Sequence, residues 1–484
     1  MALGGGTWLT QNKKLPGTYI NFTSKVRSNV NLADRGYGAI PIELDWGREG
    51  EVFAVENADF QKESMKYFGY DYSNDKMKPL RDLFKNLKTG YFYRLNNNAL
   101  KAKNKLATAK YSGIRGNNLS IAVQINIDDE TKYDITTYLV EYKSITGQVA
   151  VGEAIVGEAI VGEATVGEAT VGESVSMTIL DKQTISTWSE LQDNDFVVFK
   201  REGLLSDAIT ANMPLSGGAN GEGITALQYQ EFLEKIEPYY FNILCCPSTE
   251  KTIQDLMIQF TKRMRDEVGA KFQCVVYNYE NADYEGVISI QNNVVDKDES
   301  PASLVYWLTG AEASCNVNAS CSNKTYDGEY TINTNYKQSQ LEKAISNGML
   351  IFHRVSDSVD GDIVGDINIL RDINTFTSFS KEKNEDFSSN QVIRVLDQHA
   401  IDISRLFNKS YLGKEPNDEI GRTALWGDIV AYEQEMQRIR AITNFTSDDV
   451  PIPQMGQSKE IVLSEYAIQP VMCMEKLYMN IIIA

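Results

Sequence analysis

Histidine is scarce in this chain, which has two in 484 residues, His353 and His399. Histidine is the commonest catalytic acid or base near neutral pH, so a Ser-His-Asp or Cys-His catalytic site would depend on one of these side chains. His353 lies in the apolar run MLIFHRV, which predicts a buried strand, and His399 lies on an amphipathic helical stripe. Both patterns favour a core or interface histidine over a catalytic one. We therefore expect no enzymatic activity.

Catalytic and ligand-binding motifs are also missing. The sequence has no GxSxG, GxxxxGK[ST] or HExxH motif, and the glycine-rich stretch 217–223 lacks a phosphate-binding lysine. The acidic run 357–366 lacks the later glutamate of a calcium loop and predicts a hairpin turn at Asp360-Gly361. The six cysteines form no CxxC, so we expect buried thiols, with Cys315 and Cys321 the pair most open to a disulfide or metal role. No cofactor is expected.

Basic residues and long apolar runs are few. Lys and Arg total 47 against 66 Asp and Glu, and the formal charge of −19 repels phosphate backbones and anionic lipids. Apolar runs such as Met349–Phe352 and Met479–Ala484 are far shorter than the about 18 residues of a membrane span. The N-terminal residues lack the apolar core of a secretory signal. We expect a soluble protein made in the cytoplasm, with no direct nucleic-acid or membrane partner.

The length of 484 residues allows about three domains of roughly 150 residues each, and the 42% of apolar residues is close to average globular usage. Residues 1–35 contain few apolar side chains. In their TYINF segment apolar and polar side chains alternate, as in a strand. This stretch cannot pack on itself, so it either docks on its own domain or pairs with a sheet edge of another chain. We interpret it as an N-terminal arm and linker. Residues 36–104 predict strand, helix and strand, the first part of an α/β core.

The middle of the chain predicts two further kinds of structure. Residues 105–214 contain short alternating strands separated by Asn, Asp and Gly, a pattern typical of a β-sandwich. The VGEA repeat at 151–173 has a period of five that fits neither helix nor strand, and we interpret it as a solvent-facing loop in preference to a binding element. From 215 to 360 helices and strands alternate, which indicates a mostly parallel sheet covered by helices.

The last part of the chain predicts helices followed by strands. Residues 361–445 carry two amphipathic helices, the first with the His399 stripe and the second at 417–442. Residues 446–484 hold a proline-marked linker and two strand-like runs, IVLSEYAIQP and VMCMEKLYMNIIIA. The terminal isoleucines must be hidden from water, and a neighbouring subunit can hide them as well as the chain itself.

Five segments, in order along nearly the whole chain, resemble a contractile phage tail sheath protein of the kind found in phages and prophage-derived particles of Gram-positive bacteria. They are GGGTWLTQNKKLPGTYINF, LADRGYGAIPIELDWG, TGYFYRLNNN, AKYSGIRGNNLSI and GRTALWGDIVAYEQEMQRIRAI. The resemblance implies a multidomain α/β plus β-sandwich subunit with extended terminal arms. Its parts are a subtilisin-like α/β domain without protease activity, an inserted β-sandwich and an α+β C-terminal domain. The VGEA repeat belongs to no part of this pattern.

The resemblance also implies partners and a function. Sheath subunits form stacked helical rings around an inner tube protein, next to baseplate and tail terminator proteins, and their arms add strands to neighbouring subunits. We expect such a structural subunit of the virion tail, assembled in the host cytoplasm, that contracts to drive the tube through the host envelope for genome ejection. Two alternatives stay open: an exported surface or S-layer-like β-sandwich protein and a subtilisin-like hydrolase. The expected arm contacts are Trp8, Leu9, Tyr19, Ile20, Phe22, Tyr478, Ile481 and Ile483.

The surface of the subunit that contacts the inner tube must stay bound to the tube in the extended sheath and release it during contraction. This requirement favours a modest charged surface over a large apolar one. The first C-terminal helix places Arg394, Asp397 and Arg405 away from its apolar stripe. We favour the second helix, because it belongs to the segment that better matches the sheath family. Its polar residues would also suit a face that is merely exposed to solvent. The candidate tube-facing residues are Glu433, Glu435, Arg438 and Arg440.

Overall fold

The structure is a computed structural model, and it describes residues 34–96, 98–145, 159–161, 172–221, 223–355 and 365–483. These residues fall into two compact units, one formed by Arg35–Asp397 with 472–483 and the other by Gln398–Val471. In the described part of the chain, no helix combines the length and the apolar character needed to cross a bilayer.

The elements are numbered in chain order. The strands are β1 (Tyr37–Ile42), β2 (Val52–Glu56), β3 (Thr89–Arg94), β4 (Ala107–Ala109), β5 (Leu119–Ile125), β6 (Tyr133–Ile145), β7 (Ala159–Val161), β8 (Gly172–Ile185), β9 (Val197–Phe199), β10 (Thr210–Pro214), β11 (Ile243–Cys245), β12 (Gln273–Tyr277), β13 (Val287–Ile290), β14 (Met349–Leu350), β15 (Phe352–Arg354), β16 (Ile367–Ile369), β17 (Gln454–Met455) and β18 (Val462–Leu463). The helices are α1 (Asn57–Phe68), α2 (Lys78–Phe84), α3 (Ala226–Ile236), α4 (Lys251–Arg263), α5 (Leu304–Ser314), α6 (Gln338–Ser346), α7 (Asn390–Ser410) and α8 (Glu419–Arg438).

A seven-stranded sheet with the order β14-β13-β12-β11-β1-β3-β2 forms the centre of the larger unit. Its neighbouring strands run parallel except for β2, which pairs antiparallel with β3 at one edge. β1 pairs with β3 on one side and with β11 on the other, so strands from two distant parts of the chain share one sheet. The mostly parallel sheet predicted from the alternation of helices and strands is confirmed.

Helices cover both faces of this sheet, as the sequence pattern predicts. Successive side chains of a strand point to opposite faces. Ile243 and Cys245 therefore belong to the core that contains the apolar side chains of α2 and α5. Leu244, between them, belongs to the opposite core, with the apolar side chains of α3 and α4. The unit is a three-layer α/β/α arrangement.

The run MLIFHRV was expected to form one strand, and this expectation is wrong. Met349–Leu350 continues the parallel sheet beside β13, whereas Phe352–Arg354 pairs antiparallel with Ile367–Ile369 in a separate ribbon. The chain changes sheets at the buried Ile351, whose carbonyl accepts a hydrogen bond from the amide of Leu370. The antiparallel pairing of β15 and β16 has the geometry of a hairpin, and its proposed turn at Asp360-Gly361 lies outside the described residues.

A second, antiparallel sheet has the order β10-β5-β6-β8-β7. The ribbon of β4 and β9 contributes Ala107 and Phe199 to the same core as Ile121 and Ile135 of this sheet. β6 and β8 flank the VGEA repeat, and Ala159–Val161 within the repeat pairs with β8. This part of the repeat is a strand and not the expected loop, because an exposed sheet edge offers backbone partners to an extended segment whatever its side-chain period.

The smaller unit is built around α8. The helix begins after Asp418, whose side chain accepts a hydrogen bond from the amide of Gly421 at 2.8 Å. Its apolar stripe, which includes Leu425, Ile429 and Met436, is buried as predicted. The helix ends at Arg438, earlier than the predicted 442, because the backbone turns left-handed at Arg440 with a φ of 64°.

Most of the strand predicted near the C-terminus does not form. Within IVLSEYAIQP only Val462–Leu463 is a strand, paired with Gln454–Met455 in a short ribbon. Residues 471–483 contain no strand. The physical reason is that a strand needs a neighbouring strand to satisfy its backbone groups, and the described part of the chain places none beside them.

Candidate functional site

The C-terminal residues 474–483, here called the tail, present apolar side chains to solvent. Met474 is fully exposed, Ile481 is 75% exposed and Ile483 is 95% exposed. Leu477, Tyr478, Met479 and Ile482 are also exposed. A contiguous apolar surface of this kind marks a site of association, because its burial against another surface lowers the free energy.

The tail is fixed at its beginning. The amide of Cys473 donates a hydrogen bond to Gln391 Oε1 at 2.9 Å. Glu475 accepts a hydrogen bond from Ser322 Oγ at 2.8 Å and pairs with Arg371 Nε at 2.9 Å. Residues 476–483 make no hydrogen bond or ion pair with another described residue. The fold thus aims the tail from a defined point and leaves its apolar part unpaired.

The structure describes some of the arm residues proposed from the sequence. Tyr478, Ile481 and Ile483 are exposed, which an intersubunit contact requires. Sequence reasoning missed Arg371 and Glu475, which hold the tail, because neither stands out in its local pattern. The N-terminal arm residues Trp8, Leu9, Tyr19, Ile20 and Phe22 lie outside the described residues.

The α8 residues proposed to face the tube divide into exposed and buried groups. Arg438 is exposed and pairs with Glu435 one turn earlier, at 2.6 Å. Arg440 is also exposed, just beyond the helix end. Glu433 is fully buried, so placing it on a contact surface was wrong. It faces inward because its carboxyl contacts two partners there, accepting a hydrogen bond from the Tyr466 hydroxyl and lying 3.1 Å from His399 Nδ1.

His399 is a structural histidine, as its helical stripe predicted. Its Nδ1 lies 3.1 Å from Glu433 Oε1, and its Nε2 lies 3.0 Å from the Tyr466 hydroxyl. The Tyr466 hydroxyl in turn donates to Glu433 Oε1 at 2.8 Å. Burial, followed by the nearby Glu433 charge, raises the pKa of Tyr466. These contacts join α7 and α8 to the segment that contains Tyr466.

Of the three polar residues expected on the outer face of α7, Arg405 is exposed, whereas Arg394 and Asp397 are buried ion-pairing groups. Arg394 and Asp397 are 2% and 7% exposed, so their predicted exposure was wrong. Asp397 accepts two hydrogen bonds from the guanidinium of Arg265, at 2.6 and 2.8 Å. The sequence did contain a signal, because both charges stand among valine and isoleucine in QVIRVLDQHAI.

Two buried carboxyls converge on Arg394. Its Nη2 lies 2.6 Å from Glu312 and 3.4 Å from Asp372. Burial and the adjacent Asp372 raise the pKa of Glu312. Burial also acts to raise the pKa of Asp372, but the Arg394 charge together with hydrogen bonds from Glu312, the Cys321 amide and Asn390 outweighs it and lowers that pKa. The pair therefore retains a proton on Glu312 and a charge on Asp372. Although Glu312, Cys321 and Asp372 lie within 4.8 Å of one another, the guanidinium already supplies the positive charge, so the group does not fit a metal ion.

His353 is placed for structure as well. It lies on β15 opposite Asn368 of β16, and burial lowers its pKa. The partners of the other histidine are a tyrosine and a glutamate, so no nucleophile and base are assembled around either imidazole in the described residues.

Two family models match the chain. Residues 222–369 match the model of the phage tail sheath protein central domain, and residues 382–484 match the phage tail sheath C-terminal domain. The chain is 28% identical over 510 residues to the phage-like element PBSX protein XkdK of Bacillus subtilis, covering 99% of each.

Solved structures give the same relationship. The sheath tail protein of Desulfitobacterium hafniense is 32% identical, with a TM-score of 0.73 over 94% of this chain and 96% of that one. The sheath tail protein of Listeria innocua is 29% identical, with a TM-score of 0.70 over 91% and 93%. The helical sheath of the anti-feeding prophage in its contracted state shares the fold, with a TM-score of 0.51 at 10% identity over 97% and 99%.

The chain belongs to the phage tail sheath family. It is a structural subunit of a tail sheath, a component of the virion tail, as the sequence resemblance predicted. The S-layer and hydrolase alternatives are not favoured.

Proposed function

We propose that this subunit polymerises into stacked helical rings around an inner tube protein and contracts to drive that tube through the host envelope. Baseplate and tail terminator proteins lie at the ends of the sheath, and assembly takes place in the host cytoplasm. Neither nucleic acid nor membrane is a direct partner, and the subunit has no catalytic activity. The observation that carries the proposal is the tail, which is anchored at Glu475 and exposes apolar side chains beyond it.

The finer fold assignments belong to the same proposal. The three-layer unit is a subtilisin-like domain that has no protease activity, and its seven-stranded sheet and covering helices support this assignment. The antiparallel sheet of β5, β6, β7, β8 and β10, with the β4–β9 ribbon, is an inserted β-sandwich. The inserted position follows from β3 and β11, which flank it in sequence and lie in one sheet.

The tail joins subunits by adding a strand to a neighbour. Its side chains suit a strand, because isoleucine, tyrosine and methionine fill a pleated apolar surface. The receiving element is the β17–β18 ribbon of a second copy. This ribbon has two residues in each strand and exposes Met455 and Leu463, and a two-stranded ribbon by itself is marginal in water. Added strands from neighbours complete it.

The tube-facing surface is the exposed end of α8. Because Glu433 is buried, the proposed contacts are Glu435, Arg438 and Arg440. Charges at a solvent-exposed contact bind with modest energy and are screened by salt, which suits a surface that must release during contraction. The energy for contraction resides in contacts between subunits, so no nucleotide is required.

Proline substitutions in the tail test the proposal. Proline removes a backbone N–H, and alternate N–H groups of an edge strand point to the partner strand. One of the two residues directs its N–H at the partner strand, so we expect either Ile481→Pro or Ile482→Pro to abolish the hollow sheath polymers, here called sleeves, that electron microscopy detects. The controls Ile481→Val and Ile482→Val keep the N–H and should form sleeves.

Each single chain should remain folded in these variants, because Ile481 and Ile482 are 75% and 83% exposed. An unchanged melting temperature confirms this. Normal sleeves from both proline variants contradict strand addition by the tail.

A further inference from the structure

Cys315 and Cys321 lie next to each other at the end of α5. Cys315 directly follows the helix, and residues 316–320 form the short loop that leads to Cys321. The Cys315 and Cys321 side chains line the same cavity, and the Cys321 Sγ lies 3.7 Å from the carbonyl oxygen of Ala311. A disulfide between them requires side-chain rotations that bring the two sulfurs to the bond length of about 2.05 Å.

The loop between the two cysteines is held by three hydrogen bonds. Arg35 Nε donates to the Cys315 carbonyl at 2.9 Å, and the Cys321 amide donates to Asp372 at 2.8 Å. Between them, Arg394 Nη1 donates to the carbonyl of Ala319 at 2.7 Å. Because the backbone of both cysteines and of the loop centre is anchored to side chains of the sheet-based unit, the two residues hold their positions on the cavity without a covalent bond.

The surroundings favour a thiolate at Cys315. The hydrogen bond from Cys321, together with the positive charges of Arg394 and Arg35, outweighs burial and lowers the pKa of Cys315 to about 7. Burial acts in the opposite direction on Cys246, where it raises the pKa to about 12, and it also raises the pKa of Cys245 and Cys274. The chain therefore contains matched unreactive thiols for comparison.

Small molecules can reach the pair. A cavity of about 360 Å³ is lined by Cys315 and Cys321 together with Ser320 and Lys324. Cys315 is partly exposed, whereas Cys321 is 1% exposed. An oxidant that enters this cavity therefore meets Cys315 first and finds Cys321 behind it.

We propose that Cys315 and Cys321 form a dithiol–disulfide redox site whose oxidant is a hydroperoxide. The Cys315 thiolate attacks one peroxide oxygen and the O–O bond breaks, which leaves a sulfenic acid on Cys315 and releases hydroxide. The Cys321 sulfur then attacks the Cys315 sulfur, and the S–O bond breaks. The Cys321 proton and the departing hydroxyl leave as water. In total, two thiols and hydrogen peroxide give one disulfide and two waters.

The disulfide closes a ring over the loop that also supports the tail. Ser322, the residue after Cys321, donates a hydrogen bond to Glu475 at 2.8 Å. Oxidation therefore stiffens the surface on which the tail is anchored. We expect slower amide hydrogen exchange in residues 316–324 of the oxidised chain.

Peptide mass spectrometry of the native full-length protein tests the proposal. The probe is hydrogen peroxide near stoichiometric concentration, followed by unfolding and alkylation of the remaining thiols. We expect a loss of about 2 Da, a cross-linked peptide containing Cys315 and Cys321, and full reversal by dithiothreitol. The oxidation rate should rise with pH to a midpoint near 7, the pKa of Cys315.

Single serine variants separate the two roles. Cys321→Ser should accumulate a sulfenic acid at Cys315 that dimedone traps, whereas Cys315→Ser should leave Cys321 reduced. Cys473→Ser changes an exposed thiol outside the pair and should leave the cross-link intact. Free Cys315 and Cys321 thiols in the treated wild-type protein overturn the proposal, and so does a cross-link from Cys315 to Cys473. This measurement is made on the wild-type protein, so it does not depend on the folding of any variant.

Discussion

Arg394 illustrates how a single buried charge organises this fold. It contacts Glu312, Asp372 and the carbonyl of Ala319, and it is 2% exposed. Removing one partner of a buried ion pair leaves the remaining charge without compensation, which costs more than the pair contributes to stability.

We therefore expect Arg394→Met to lower the free energy of unfolding by about 3–5 kcal/mol, the range for a broken buried ion pair. Chemical denaturation followed by circular dichroism measures the change. The matched control is Arg438→Met, which removes an exposed arginine and should leave the denaturation midpoint unchanged. Equal midpoints for the two variants contradict the importance of this cluster.

Asp82 predicts a pH dependence of stability. The carboxyl is fully buried, and burial raises its pKa to about 6 in spite of hydrogen bonds from the Tyr326 hydroxyl and the Glu329 amide. A raised folded-state pKa means that the protonated form stabilises the folded chain. This contribution is fully present below about pH 4 and is lost as the pH rises through about 6.

Asp82→Asn keeps a neutral side chain at every pH and can serve both partners, through its carbonyl oxygen and its amide. The wild-type stability relative to this variant should fall by on the order of 2–3 kcal/mol between pH 4 and pH 7. Urea denaturation at each pH measures the difference. Parallel stability curves for the two proteins contradict the raised pKa of Asp82.

At the residue scale, sequence reasoning worked where a residue's environment is set by its own helix. The stripe containing Leu425 and Met436 is buried as its spacing predicts. The same reasoning failed for Arg394 and Glu433, because their partners Glu312 and Tyr466 are distant in sequence. A helical pattern identifies the apolar face, but it does not show which polar residues find buried partners.

At the element scale, the end of α8 makes the next prediction. Arg438→Glu with Arg440→Glu reverses two exposed charges outside the apolar stripe. If these arginines face the tube, the double variant should bind it at least several-fold more weakly in co-sedimentation, while tube-free sleeves still form. Wild-type binding should also weaken with added salt.

The matched control for this variant is Lys409→Glu, an exposed charge near the end of α7 in the smaller unit that lies outside the proposed contact. It should leave tube binding unchanged. Wild-type tube binding by the double variant at both low and high salt contradicts the proposed surface.

The elements themselves were largely predictable from the sequence. The apolar runs in FNILCCPS and FQCVVYN identified β11 and β12, because a strand covered on both faces is continuously apolar. The end of the chain was not predictable in this way. Residues 471–483 have a strand-like composition, yet a strand forms only with a partner, and the sequence of one chain does not contain the neighbouring copy.

At the scale of the whole molecule, family membership and the exposed tail lead to one account. The folded units account for most of the apolar residues, whereas Leu477, Tyr478 and Ile483 are left in water. Exposure of this kind is costly for a free subunit and favourable for an assembling one, since association removes the apolar surface from water. The subunit is therefore built for polymerisation.

Cryo-electron microscopy of the assembled wild-type protein tests the central claim most directly. The account predicts hollow, helically ordered sleeves in which residues 476–483 of one copy continue the β17–β18 ribbon of another. Sleeves in which the tail packs on its own chain contradict the strand exchange, and a protein that remains monomeric under all assembly conditions contradicts the sheath function.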